Sequence, residues 1–239
     1  MKIRNIEKGK VVGAVMLLTA LICWGCRDNK PLQGIEWKTL NDELTLLYRQ
    51  GHYDRAVVVA KKALQVAEQA VGPNHPAVAT SLNNLALLYF TQGQYAQAEP
   101  LFKRALAIDE KALGRDHPDV ATDLNNLALL YKAQGQYAQA EPLYKRSLAI
   151  RKKALGPNHP AVATSLNNLA LLYFTQGQYA QAEPLFKRAL AIDEKALGPD
   201  HPSVATSLEN MAVLYRKSGR EKEAEALEKR AAAIRAIRR

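Results

Sequence analysis

His75, His117, His159 and His201 recur at a constant step of 42 residues, and histidine is a common metal ligand and proton carrier. A shared zinc ion would need its ligands within about 2.1 Å. Histidines that occur once per repeated unit are instead separated by helix packing distances of about 8–10 Å, too far to hold one ion. Each is followed by proline, whose missing N–H suits the first turn of a helix, so they read as helix-entry residues and no metal site is expected. No phosphate-binding loop of the Gly-x-x-x-x-Gly-Lys type is present. Every other candidate group is copied once per unit with no unique cluster, which argues against an enzyme and against a bound cofactor.

The cysteines, Cys23 and Cys26, both lie near the N-terminus, so a disulfide framework or Cys-based zinc site in the body is excluded. Their Cys-x-x-Cys spacing sits inside an apolar segment and not at a helix start in a βαβ unit, which weakens a redox reading. Basic Lys2, Arg4, Lys8 and Lys10 precede an apolar run from Val11 to Trp24, and polarity returns abruptly at Gly25-Cys26-Arg27-Asp28. That is signal-segment organisation. The run is shorter than the ~20 apolar residues that span a bilayer comfortably. Two readings stay open: residues 1–26 are a targeting segment whose Cys26 carries lipid, or they are an uncleaved anchor. Both place the rest of the chain on a membrane surface outside the cytoplasm.

A second set of polar residues is laid out for binding. Asn83-Asn84, Asn125-Asn126 and Asn167-Asn168 recur at the 42-residue step, and the last copy reads Glu209-Asn210. Asparagine is a mediocre helix former, so pairs of it on helices call for a reason. An amide both donates and accepts, and a ladder of amides can grip an extended backbone whatever its side chains. The competing reading is that these amides bond neighbouring helices or water and only maintain the repeat.

The elements that position them follow from the period. Gly51, Gly93, Gly135, Gly177 and Gly219 keep the same step, and Gly72 to Gly114 recurs unchanged as Gly156 to Gly198. Within one unit Leu82, Leu85, Ala86 and Tyr89 fall at i, i+3, i+4 and i+7 and form one face of a helix that ends at Gln92-Gly93. A second helix runs from about Gln94 to Gly114, with Pro100, Pro142 and Pro184 inside three copies, where a local bend is expected. Neither helix can bury its stripe alone, so neighbouring hairpins must stack. The expected organisation is a 27–36 linker and an all-α array over 37–239, with units near 37–72, 75–114, 117–156, 159–198 and 201–238. The first is degenerate, with Asp42 and Glu43 taken as the counterparts of Asn83 and Asn84, and the last is highly charged.

Opposite the packing stripe lie Thr80, Asn83, Asn84, Leu87 and Thr91, then Thr122, Asn125, Asn126 and Leu129, then Thr164, Asn167, Asn168 and Leu171, and finally Thr206, Asn210 and Val213. This face is expected to line an open groove. Lys103-Arg104, Lys145-Arg146 and Lys187-Arg188 on the second helices read as a solvated outer face. The formal charge is +10, and without residues 1–25 there remain 29 basic and 22 acidic residues, interspersed except for a basic tail. No nucleic-acid-binding motif accompanies them, so no nucleic acid is expected as a partner.

Ala86, Tyr89, Gly93, Tyr95, Ala98, Phe102 and Ala105 resemble the tetratricopeptide consensus, and the longer unit, with His-Pro-x-Val-Ala-x-x-Leu-Asn-Asn-Leu-Ala-Leu-Leu-Tyr, is similar to the kinesin light chain subfamily. The resemblance implies a right-handed α-solenoid whose first helices line a concave peptide-binding groove. In relatives that clamp a C-terminal carboxylate, an asparagine at the place of Asn84 acts with basic residues at the places of Asn83 and Leu87, which are absent here. Internal peptide segments are therefore the expected ligands. Gly25-Cys26 likewise resembles a bacterial lipoprotein processing site, although Cys23 stands where leucine is usual. Together these imply a non-enzymatic scaffold at a bacterial cell envelope that binds segments of other proteins. The alternative is a structural subunit associating through its convex face, end units or basic tail.

Overall fold

The computed structural model describes residues 34–237, which form ten α-helices. They are α1 (Gly34–Arg49), α2 (Tyr53–Val71), α3 (Pro76–Thr91), α4 (Tyr95–Leu113), α5 (Pro118–Ala133), α6 (Tyr137–Leu155), α7 (Pro160–Thr175), α8 (Tyr179–Leu197), α9 (Pro202–Lys217) and α10 (Glu221–Ala236). Consecutive helices pair as five hairpins, and each second helix also packs on the first helix of the next hairpin. α1 begins at Gly34, inside the expected linker. Cys26, expected to carry lipid, and the segment around it lie outside the described residues.

Local chemistry explains the boundaries. Each first helix from α3 onwards starts at proline, and the histidine before it caps the helix through its ring: His75 Nδ1 accepts the Ala77 N–H at 3.1 Å, and His117, His159 and His201 repeat the bond. One N–H of the open first turn is thereby satisfied. The turn between the two helices uses Gly93 at φ +74°, where the Gln94 N–H reaches back to the Tyr89 carbonyl at 2.8 Å. Only glycine adopts such a φ without strain. α4, α6 and α8 run on through Pro100, Pro142 and Pro184 as single helices.

The core is continuous along the stack. Ala86, Ala98, Phe102 and their copies Ala128, Ala140, Tyr144, Ala170, Ala182 and Phe186 are all buried, alanines meeting aromatics where the helices cross. Ala86, Ala128 and Ala170 are fully buried, and a larger side chain there would have to displace its neighbours in the close-packed core. Successive first helices α3, α5, α7 and α9 touch one another, whereas no two second helices do so to the same extent among the described residues. The array therefore bends with its first helices on the inside, which makes their outward face concave.

Candidate binding groove

Around the first helix of each unit the asparagine pair occupies the two flanks of the open face, and Thr80, Leu87 and Thr91 occupy its centre. The flanks are used for sealing. Asn84 Nδ2 donates to Asn41 Oδ1 at 3.0 Å, and Asn168 Nδ2 donates to Asn125 Oδ1 at 2.7 Å, each bridging adjacent first helices. In the alternate seams Asn83 Nδ2 donates to Asp123 Oδ1, and Asn167 Nδ2 donates to Ser207 Oγ at 3.1 Å. These bonds also correct the register of the first unit: Asn41 and Asp42, not Asp42 and Glu43, are the counterparts of Asn83 and Asn84.

Three residues expected on the open face are buried instead. Asn125 and Asn168 are 9% and 6% exposed because each fills the other's hydrogen bond, and Leu129 is 8% exposed at the middle of the array. Asn83, Asn84, Asn126, Asn167 and Asn210 are half-buried, as are Leu87 and Leu171. Thr80, Thr91, Thr175 and Val213 are exposed, so the accessible floor is a threonine and aliphatic stripe bordered by amides.

A second inter-unit ladder escaped the sequence reading. Tyr131, Tyr173 and Tyr215 each donate a phenolic hydrogen to a glutamate of the preceding second helix, Glu99, Glu141 and Glu183, at 2.9–3.3 Å. Lys103, Lys145 and Lys187 meet the same carboxylates at 2.7 Å and hold them below the usual range, Glu183 down to about 2. These lysines, expected on a solvated outer face, are more than half exposed and paired there. Arg104, Arg146 and Arg230 likewise bridge to Glu68, Glu110 and Glu194 of the preceding second helix. The common spacing of 32 residues between Glu and Tyr was the available signal, but it pairs residues of different elements and no helical periodicity reveals it.

The seams also carry buried charge. Asp109, Arg151 and Asp193 occupy one position on α4, α6 and α8, each no more than 4% exposed. Asp193 accepts from Ser207 Oγ at 3.2 Å, and burial pushes its carboxyl up to about 6. Arg151 has no carboxylate; its Nη1 donates to Ser165 Oγ at 3.0 Å and to the Ala161 carbonyl, and its Nη2 to Thr122 Oγ1. Burial pulls it down to about 10. No group of three or more His, Cys, Asp or Glu placed to hold a metal occurs among the described residues.

The tetratricopeptide repeat model matches residues 45–111, 82–153, 121–195 and 163–236. Among curated proteins none matches the sequence. Solved structures do. BtubC (BKLC) from P. vanneervenii is 27% identical with a TM-score of 0.71, covering 84% of this chain and 80% of its own. The kinesin light chain-type TPR-like repeats of Podosopora anserina are 29% identical with a TM-score of 0.67, covering 84% and 95%. PilF of Pseudomonas aeruginosa, at 22% identity and a TM-score of 0.59 over 84% and 77%, shares the fold. Tetratricopeptide arrays are in general non-catalytic scaffolds for protein partners. With the repeat model spanning almost all of the described helices and stacked hairpins in the geometry it requires, the chain belongs to the tetratricopeptide repeat family.

Proposed function

We propose that this protein is an envelope-associated scaffold whose concave face takes peptide segments of partner proteins. The observation that carries the reading is the inward bend: the first helices approach one another and present a stripe of Thr80, Leu87, Thr91, Leu171 and Thr175 with no helix over it among the described residues. Exposed threonine hydroxyls, which donate to carbonyls of their own helices and keep acceptor capacity, and partly exposed leucines beside amides suit an extended or helical segment that offers both backbone polar groups and apolar side chains. The membrane location rests on the signal-type segment with Cys26, and is part of the proposal.

The amides are poor targets for a test, because Asn125 and Asn168 hold the helices together. Leu87→Glu with Leu171→Glu is better, since both side chains reach solvent at the edge of the core and neither takes part in the hydrogen bonds between first helices. Affinity capture from native membranes with the intact chain is expected to recover partners that the double variant loses while keeping its helical circular dichroism spectrum. Capture of the same partners by both forms would refute the groove reading and favour association through the convex face, end units or basic tail.

A further inference from the structure

Unit three breaks the pattern of its neighbours at one seam. On the first helices, the position that faces the preceding second helix is serine in α3, α7 and α9 (Ser81, Ser165 and Ser207) and aspartate in α5 (Asp123). Across the α4–α5 seam this sets Asp123 against Asp109. They are 1% and 4% exposed, and Asp109 Oδ1 and Asp123 Oδ2 are sealed from solvent without a hydrogen-bond donor. Two carboxylates cannot both keep a charge in contact at such burial; one must hold a proton that bridges to the other.

The surroundings offer no countercharge. α3 contains no Asp, Glu, Lys, Arg or His and meets the pair through the Asn83 amide, which donates to Asp123 Oδ1. From α5 the nearest charge is Asp119, another acid, and it raises both groups. On α4 Glu110 is occupied by Arg146 of α6 and Arg115. Arg151 of α6 turns to the other side of α5, towards Thr122 and α7. Burial first and the neighbouring acids second push Asp109 up to about 7 and Asp123 well above the carboxylate range.

We propose that the α4–α5 seam is a proton-operated joint in the array: Asp109 and Asp123 share one proton when the seam is closed, and releasing it to water loosens the seam beneath Asn83. The change is from one negative charge on the pair to two, with the proton going to solvent. The sign follows from the raised carboxyls. The contribution to stability is complete below the ordinary aspartate range near 4 and is lost as the pH climbs through the raised range, with the Asp109 step near 7 and the Asp123 step, which completes the double charge, above it. Because Asn83 borders the groove, the joint makes the shape of that border depend on ambient pH from neutrality upwards.

The test compares the full chain with Asp123→Ser, the residue found at the same position in three other units, and with Asp109→Asn. Amide hydrogen exchange of α4 and α5, corrected for intrinsic pH dependence, is followed from pH 5 to pH 9. The native chain is expected to lose protection there by roughly a hundredfold or more, and Asp123→Ser to lose at least tenfold less, with Asp193 present in both and cancelling. Asp109→Asn is expected to behave as Asp123→Ser does. Equal pH dependence in all three chains would overturn the proposal. So would a native curve displaced by calcium and restored by chelator, because the pair would then hold a cation in place of a proton.

Discussion

Ser165→Asp is expected to stabilise the array, because it supplies the carboxylate that the buried guanidinium of Arg151 lacks. Arg151 is 3% exposed and its strongest partner across the α6–α7 seam is Ser165 Oγ at 3.0 Å. Burial pulls Arg151 down to about 10 from the usual guanidinium range, which corresponds to about 3 kcal/mol of lost solvation. An aspartate carboxylate about 4 Å from the guanidinium gains about 4 kcal/mol at an effective dielectric of 20. Its own removal from water takes back much of that. Asp123 shows that the position accommodates an aspartate, so steric cost is small. The net expectation is a gain of about 1–2 kcal/mol, or roughly 3–6 °C in Tm for an array of this length. Thermal and urea unfolding at pH 7.5 measure it, and the same substitution in an Arg151→Leu background serves as control. There the aspartate is buried without a partner and is expected to destabilise by at least about 2 kcal/mol. Equal destabilisation in both backgrounds would show that Arg151 and position 165 are not coupled and would refute the reasoning.

Ala86→Phe forces a ring into a fully buried crossing point and is expected to lower stability by about 1–3 kcal/mol in urea unfolding without abolishing the helical signal. His159→Ala removes the acceptor for the Ala161 N–H and is expected to cost about 1 kcal/mol, while His159→Asp keeps an acceptor there and restores most of it; chemical denaturation of the three chains checks this. Asn168→Ala leaves the Asn125 amide oxygen without its buried donor, and a loss of about 1–3 kcal/mol is expected by the same measurement.

Most of the fold could be read from the chain because its signals are local and repeated. His-Pro at a helix start, Gln-Gly at a turn and the i, i+3, i+4, i+7 stripe each act within one hairpin, and the 42-residue step multiplies them. What lay between hairpins was harder to see. An asparagine on a helix flank reads the same whether it faces water or an asparagine 43 residues away, as Asn125 and Asn168 do. Helical spacing sets them opposite the stripe, but in a stacked array the flanks of that face belong to the neighbouring helices and only its centre stays open. The departures of unit three, Asp123 and Arg151, are single substitutions in a periodic text. Their meaning depends on which residue stands across the seam, 14 positions away in sequence on another element.

The claim on which the functional reading rests is that partners lie along the first helices. Site-specific photocrosslinking tests it most directly, with benzoylphenylalanine at Leu171 of α7 or at the exposed Ala149 of α6 in the full chain within its native membrane. Partner adducts are expected from position 171 and not from position 149. Adducts from position 149 alone would place the contact on the outer surface and contradict the account.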